Sequence, residues 1–146
     1  MKNINNYINE NSSNVKFKLI EPDLDYDDEY KLELLLNNKV IGYIIYQSYT
    51  DDLFEDEFED IYDEIEDYSE LIYIKGFHIN GEYRSGGYGK KLFDEFIKNY
   101  VDKPCLLYAS SYDNNNISLN NNILKEFYKS FNFKQINNSN YFIYNK

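Results

Sequence analysis

"LIYIKGFHINGEYRSGGYGKKLFDEF", Leu71 to Phe96, decides the fold. Leu71 to Ile79 is almost wholly apolar, with β-branched and aromatic residues throughout, the pattern of a central strand buried on both faces. Past Gly89, apolar residues at Leu92, Phe93, Phe96, Ile97, Tyr100 and Val101 recur at helical spacing, and Lys91/Glu95 and Asp94/Lys98 form i,i+4 pairs on the other side. This predicts a helix that ends near Asp102, ahead of Pro104. Between strand and helix stands a turn holding Arg84, the only arginine of the chain, with Gly86, Gly87 and Gly89; Gly76 and Gly81 lie close by, and Gly42 is the one glycine elsewhere. In a chain dominated by Asn, Ile, Lys and Tyr, that concentration points to chemistry.

Working outward, "CLLYAS" (Cys105 to Ser110) reads as a second buried strand, and strand, helix, strand implies a right-handed parallel crossover. Upstream, "VKFKLI" (Val15 to Ile20) alternates as a half-buried strand does, a short acidic loop follows, and "YKLELLLNNKVIGYIIYQSY" reads as two strands around Asn37-Asn38, residues that tolerate a tight hairpin turn. Thr50 to Glu70 has no basic residue, yet Phe54, Phe58, Ile61, Ile65 and Tyr68 recur every three or four positions. The spacing predicts an amphipathic acidic helix, an insert over 51–69 that needs a surface to pack on. Downstream of the asparagine-rich "DNNNISLNNN", a helix carries Ile123, Leu124, Phe127, Tyr128 and Phe131, and "FKQI" and "YFIY" form a terminal hairpin joined by Asn137 to Asn140. The expected fold is α/β with a mixed α+β sheet: antiparallel N-terminal strands, a central β-α-β crossover, then a helix and hairpin. One domain over 1–146 is expected, with 1–13 as a candidate flexible start.

The bulk numbers agree with a core of ordinary size. At 146 residues the chain needs no disulfides or metals to fold, and one cysteine (Cys105) and one histidine (His78) supply neither a disulfide framework nor zinc-ligand spacing. The first residues lack a signal-type apolar run and no later run approaches membrane-span length, so the expectation is a soluble, cytoplasmic protein with no membrane partner. A net charge of −11 argues against nucleic acid and fits a cationic partner.

A buried strand that ends in a glycine turn and opens directly into a helix presents unpaired backbone N–H groups at the positive end of a dipole. Gly86, Gly87 and Gly89 let the main chain approach an anion, Arg84 adds a forked cation, and Lys90 and Lys91 strengthen the field. The plainer alternative is a tight turn whose glycines serve packing alone. A Walker loop is excluded because no glycine frame here ends in Lys followed by Ser or Thr, and a dinucleotide fingerprint because Gly87-Tyr88-Gly89 lacks its third glycine.

What remains is R-x-x-G-x-G, Arg84-Ser85-Gly86-Gly87-Tyr88-Gly89. Here the sequence resembles the GNAT superfamily of N-acetyltransferases, whose Q/R-x-x-G-x-G/A loop cradles the pyrophosphate of acetyl-CoA. The preceding "FHI" is similar to the family's stretch beside the thioester. Asn121, Leu124, Phe127-Tyr128 and Asn132-Phe133 resemble its N-x-x-A-x-x-F-Y-x-x-x-G-F segment, with Leu124 in place of the small residue and Asn132 in place of glycine. The family's pair of helices between its first two strands has no counterpart, while the acidic insert lies between the third and fourth strands.

The resemblance implies that acetyl-CoA is the cosubstrate and that the central parallel strands splay to admit it. Amides of Phe77, His78 and Ile79 would face the thioester carbonyl, those of Arg84, Ser85, Gly86, Gly87, Tyr88, Gly89 and Lys90 would hold the diphosphate, and Asn121 is a further cofactor contact. Tyr128 matches the tyrosine that protonates the leaving thiolate. The acceptor amine would attack directly, with Glu70 and His78 as candidate bases; the family's central-strand glutamate is replaced by Tyr73. A polyamine, an aminoglycoside or a protein lysine or N-terminus fits the acidic chain. The competing functions are a non-catalytic CoA-binding module that docks a basic partner through its acidic segment, and an acidic mimic of nucleic acid.

Overall fold

Asn37 and Asn38 adopt φ of 52° and 65°, the left-handed pair that a two-residue hairpin requires, and they turn β2 (Tyr30–Leu36) into β3 (Lys39–Thr50). A computed structural model describes residues 14–23, 28–50, 58–61, 63, 70–110 and 121–145. Among the described residues the chain adds β1 (Val15–Ile20), β4 (Glu70–Ile79), a 3₁₀ turn (Gly81–Tyr83), α1 (Tyr88–Asn99), β5 (Cys105–Tyr108), α2 (Asn121–Ser130), β6 (Lys134–Gln135) and β7 (Tyr141–Tyr144). The strands form one mixed sheet in the order β1-β2-β3-β4-β5-β7-β6. β4 and β5 are parallel, pairing Ile72–Ile74 with Cys105–Leu107, while β4 continues to Ile79; the β1–β2, β2–β3, β5–β7 and β6–β7 pairs are antiparallel. This is the expected mixed α/β fold.

Two compact units share the strands β3 and β4. The first is built on β1, β2, the start of β3, the end of β4 and α1. Its core is the face that α1 covers: Leu92, Phe93 and Phe96 are buried together with Leu32, Leu34, Ile41 and Ile44. Phe96 meets the Tyr46 ring at 4.9 Å and Phe93 meets Phe77 at 5.4 Å. The second unit holds the end of β3, the start of β4, β5, β6, β7 and α2. There Phe58, Ile61, Tyr49, Leu71, Leu106 and Ile136 form one buried cluster, whereas Tyr128 packs at 6.3 Å from Phe142 and 6.2 Å from Phe133.

Four expectations are corrected. Thr50 and Glu70 belong to strands, and Phe58–Ile61 is a turn closed by the Ile61 N–H on the Phe58 carbonyl at 3.0 Å; 51–57, 62 and 64–69 of the expected helix lie outside the described residues. Of its apolar stripe, Phe58 and Ile61 are buried while Glu59, Asp60 and Asp63 are exposed; Phe54, Ile65 and Tyr68 lie outside the described residues. α1 stops at Asn99, and β5 at Tyr108. Ile123, read as part of an apolar helix face, is 55% exposed.

The β2–β3 register shifts between Leu34, which faces Gly42, and Leu35, which faces Val40. Ile41 is thus the extra residue of a β-bulge, which turns its carbonyl to accept the Asn80 N–H at 2.7 Å. Gly42 beside it admits the end of β4 so closely that a Cβ would lie 2.5 Å from Ile79 Cδ1 and 2.7 Å from the His78 carbonyl oxygen. Backbone cannot yield as a side-chain tip can. Gly42→Ala is therefore expected to destabilise the protein by about 1–3 kcal/mol, measured from the urea midpoint. Gly76→Ala is the control, since its Cβ would meet only Ile45, at 3.9 Å.

Candidate functional site

The bulge bond fixes where β4 ends, and the chain then winds tightly. The Tyr83 N–H donates to the Asn80 carbonyl at 2.9 Å, Arg84 N–H to Gly81 at 3.4 Å, and Gly86 N–H to Tyr83 at 3.3 Å. Two of the amides expected to face an anion, those of Arg84 and Gly86, are thus donors inside the turn. The first helical bond of this run is Lys91 N–H to the Gly87 carbonyl, at 3.2 Å. Gly87, Tyr88, Gly89 and Lys90 consequently have amides with no acceptor inside the helix, at its positive end. The set of amides open to an anion is smaller than the sequence suggested.

Each glycine has its own reason. Gly87 has φ +76°, the left-handed region, with open space around the position a Cβ would take. A Cβ on Gly86 would lie 2.6 Å from the Tyr88 ring, so the ring folds back over the turn only because that Cβ is missing. At Gly89 a Cβ would meet Phe77 and Ile79 at 3.5 and 3.7 Å, ordinary contact distances. Arg84 is exposed, and its Nε donates to the Ile79 carbonyl at 3.0 Å, tying the guanidinium back to the end of β4. Ser85 and Lys90 are exposed beside it.

Strand alternation sorts the amides before the turn. Since the Asn80 N–H points to β3, the main-chain groups of His78 point the same way and those of Phe77 and Ile79 face the other edge of β4. Only the latter pair suits a thioester on that edge. The side chains divide oppositely: Phe77 packs on Phe93 of α1, and the half-buried His78 ring lies 5.4 Å from Tyr43 on the other face.

The remaining predicted residues lie in the second unit. Tyr128 is buried, and burial pushes its phenol well above the ordinary tyrosine value. Its carbonyl accepts the Phe131 and Phe133 N–H groups at 3.0 and 3.2 Å, while the Asn132 N–H donates to Lys129 at 3.0 Å. With Asn132 at φ 69°, this is a Schellman cap sealed by the Tyr128–Phe133 ring contact. Asparagine therefore does the glycine's work at the position where the chain departs from the family pattern. Asn132→Val is expected to cost about 1–2 kcal/mol and Asn132→Gly to be neutral or mildly stabilising, read from urea unfolding.

Glu70 is exposed and paired with Lys103 at 3.0 Å, whose ammonium also reaches Ser48 at 3.1 Å. Tyr73, at the place of the family glutamate, packs 4.6 Å from Phe58. Cys105 is buried and its thiol pushed far up by that burial, which suits a core residue and not a nucleophile. Asn121 opens α2, and its side chain lies outside what the structure describes. Sequence reasoning missed Gly42 and Ile41, whose roles come from a contact between distant residues, and it named Tyr88 for its amide alone, not for the ring that folds over the turn.

Among the described strand pairs β4–β5 is the parallel one, and β4 runs through the glycine turn into α1. The acetyltransferase (GNAT) family pattern matches residues 5–133, and the chain belongs to that family. Its fold is similar to that of Arabidopsis thaliana NAA60 in complex with acetyl-CoA, with a TM-score of 0.58 and 19% identity over 90% of this chain and 99% of that one. The Bacillus subtilis N-acetyltransferase YlbP in complex with coenzyme A is similar at a TM-score of 0.55 and 12% identity, over 85% and 74% of the two chains. The archaeal Methanocaldococcus infernus Elp3 is similar at 0.53 and 13%, over 92% of this chain and 30% of that one. No curated protein sequence matches the chain. Acetyl-CoA is the cosubstrate that this membership supplies. Among the described residues no helix is long and apolar enough to cross a membrane.

Proposed function

We propose that this chain, as one catalytic domain, transfers acetyl from acetyl-CoA to a cationic primary amine. The amides of Gly87 to Lys90 hold the diphosphate, with Arg84 tethered beside them. The Ile79 and Phe77 amides stabilise the oxyanion that develops on the thioester carbonyl. A neutral acceptor nitrogen attacks that carbon, the C–S bond breaks, and the electron pair leaves on sulfur. Tyr128 gives the thiolate its proton and regains one from solvent, and the extra proton on the new amide nitrogen passes to water. No covalent enzyme intermediate is needed, because placing the two reactants in line supplies the rate.

An alkylammonium near pKa ~10.4 must first be deprotonated. His78 is the better candidate for that base, since the Glu70 carboxylate is already engaged by Lys103. The observation that carries the reading is the Gly87 conformation at the head of α1, in a run that matches the family's diphosphate loop. A cationic acceptor is favoured by the exposed carboxylates of Glu59, Asp60 and Asp63 and by the half-exposed Tyr108–Tyr141 ring pair, at 4.9 Å, whose Tyr141 feels the charge of Asp60. We place the protein in the cytoplasm on its single thiol.

The test is thiol release from acetyl-CoA with a panel of polyamines, aminoglycosides and lysine peptides. Turnover with at least one, lost in Arg84→Glu, is expected. Tight acetyl-CoA binding with no turnover across the panel favours instead a CoA-binding module that docks a basic partner on the same carboxylates.

A further inference from the structure

The turn carries an aromatic and cationic cluster that the diphosphate cup does not use. The Tyr83 and Tyr88 rings meet edge to face, 6.1 Å apart at 81°. Lys91 stands over the Tyr88 ring and Lys39 over the Tyr83 ring, each at 5.8 Å. Lys39 follows the Asn37-Asn38 hairpin turn, and its ammonium rests 3.6 Å from the Glu82 carboxylate. Both lysines are exposed and both rings only half-buried, so none of the four serves the core. Gly86 is not one of the two glycines that the R-x-x-G-x-G pattern demands, yet a Cβ there would lie 2.6 Å from the Tyr88 ring, which uses the space it leaves.

Two ring faces with an ammonium at each suit a ligand that joins a flat base to a dianionic phosphate. Coenzyme A carries such a group just beyond its diphosphate. We propose that Tyr83, Tyr88, Lys39 and Lys91 seat the 3′-phosphoadenosine end of the cofactor, the lysines taking the 3′-phosphate and the rings the base. Glu82 occupies Lys39 until the phosphate displaces it. The chain thereby selects coenzyme A thioesters over donors that lack the 3′-phosphate, including a pantetheine arm on a carrier protein. This rests on the reading that the neighbouring amides hold the diphosphate.

The test is calorimetry of the full chain with coenzyme A and with 3′-dephospho-coenzyme A at low salt. The wild type is expected to bind the first about tenfold more tightly, two ammonium–phosphate contacts near the surface being enough for that ratio. In the Lys39→Ala/Lys91→Ala double variant the two ligands should bind alike, at the wild-type affinity for the dephospho form. Glu82→Gln should widen the gap by strengthening coenzyme A alone, and Tyr88→Leu should weaken both ligands together. Equal affinity of the wild type for both ligands, or a gap that survives in the double variant, overturns the proposal and leaves the diphosphate cup standing. Failure of the wild type to bind either ligand removes both. All four positions lie at the surface, and unchanged melting curves show that each variant is folded.

Discussion

Tyr128→Phe is expected to lower kcat for acetyl transfer by about a hundredfold or more, the usual contribution of a positioned general acid. The affinity for acetyl-CoA should stay within about twofold, because the thiolate exists only after the C–S bond has begun to break. Phenylalanine keeps the ring that packs on Phe133 and Phe142, and the backbone cap around Asn132 does not involve the hydroxyl, so the fold is retained. The pH profile gives an independent reading. A general acid works while protonated and is lost as pH rises through its pKa. Burial moves the Tyr128 phenol upward, so its falling limb lies above the ordinary tyrosine value of about 10. A wild-type kcat that declines well below that pH, with a Tyr128→Phe variant as fast as the wild type, assigns the proton to another donor.

The second large effect is expected at Gly87. Valine there must adopt φ +76°, a conformation that costs an L-residue about 1–2 kcal/mol. The protein itself offers no clash, since nothing lies within 4 Å of the added Cβ. On the proposed reading the cup faces its anion across that open space, so the side chain would meet the cofactor and not the core. Gly87→Val should therefore weaken acetyl-CoA binding by about tenfold or more, beyond what a modest loss of stability explains. Gly89→Ala, whose Cβ meets Phe77 and Ile79 at ordinary distances, should bind within about threefold of wild type. Calorimetry on the two variants separates conformation from simple crowding. Equal loss in both would mean that the turn matters only as a packing element.

What could be read in advance followed the range of the interactions. Asn37-Asn38 and Asn132 declare themselves because positive φ is a property of the residue and its neighbours. The Arg84–Gly89 run is equally local, since strand, turn and helix N-terminus adjoin along the chain. Gly42 was opaque: its function is to let β4 approach β3, a contact between residues far apart in sequence, and the bulge at Ile41 leaves no mark in an apolar run. The inward bonds of the Arg84 and Gly86 amides depend on how the turn winds after Asn80, which composition does not encode. The stripe of Phe58 and Ile61 was correctly seen as buried, but periodicity alone does not separate a helix from a turn seated on a sheet. Ile123 shows the converse, an apolar residue at helical spacing that the helix leaves in solvent.

The central claim is that main-chain amides at the head of α1 bind the diphosphate of coenzyme A. Titrating coenzyme A into ¹⁵N-labelled protein and following each backbone N–H tests it most directly. The amides of Gly87, Tyr88, Gly89 and Lys90 should show the largest downfield shifts, as groups that gain an anionic acceptor do. Saturable binding that leaves those four amides unmoved would contradict the account.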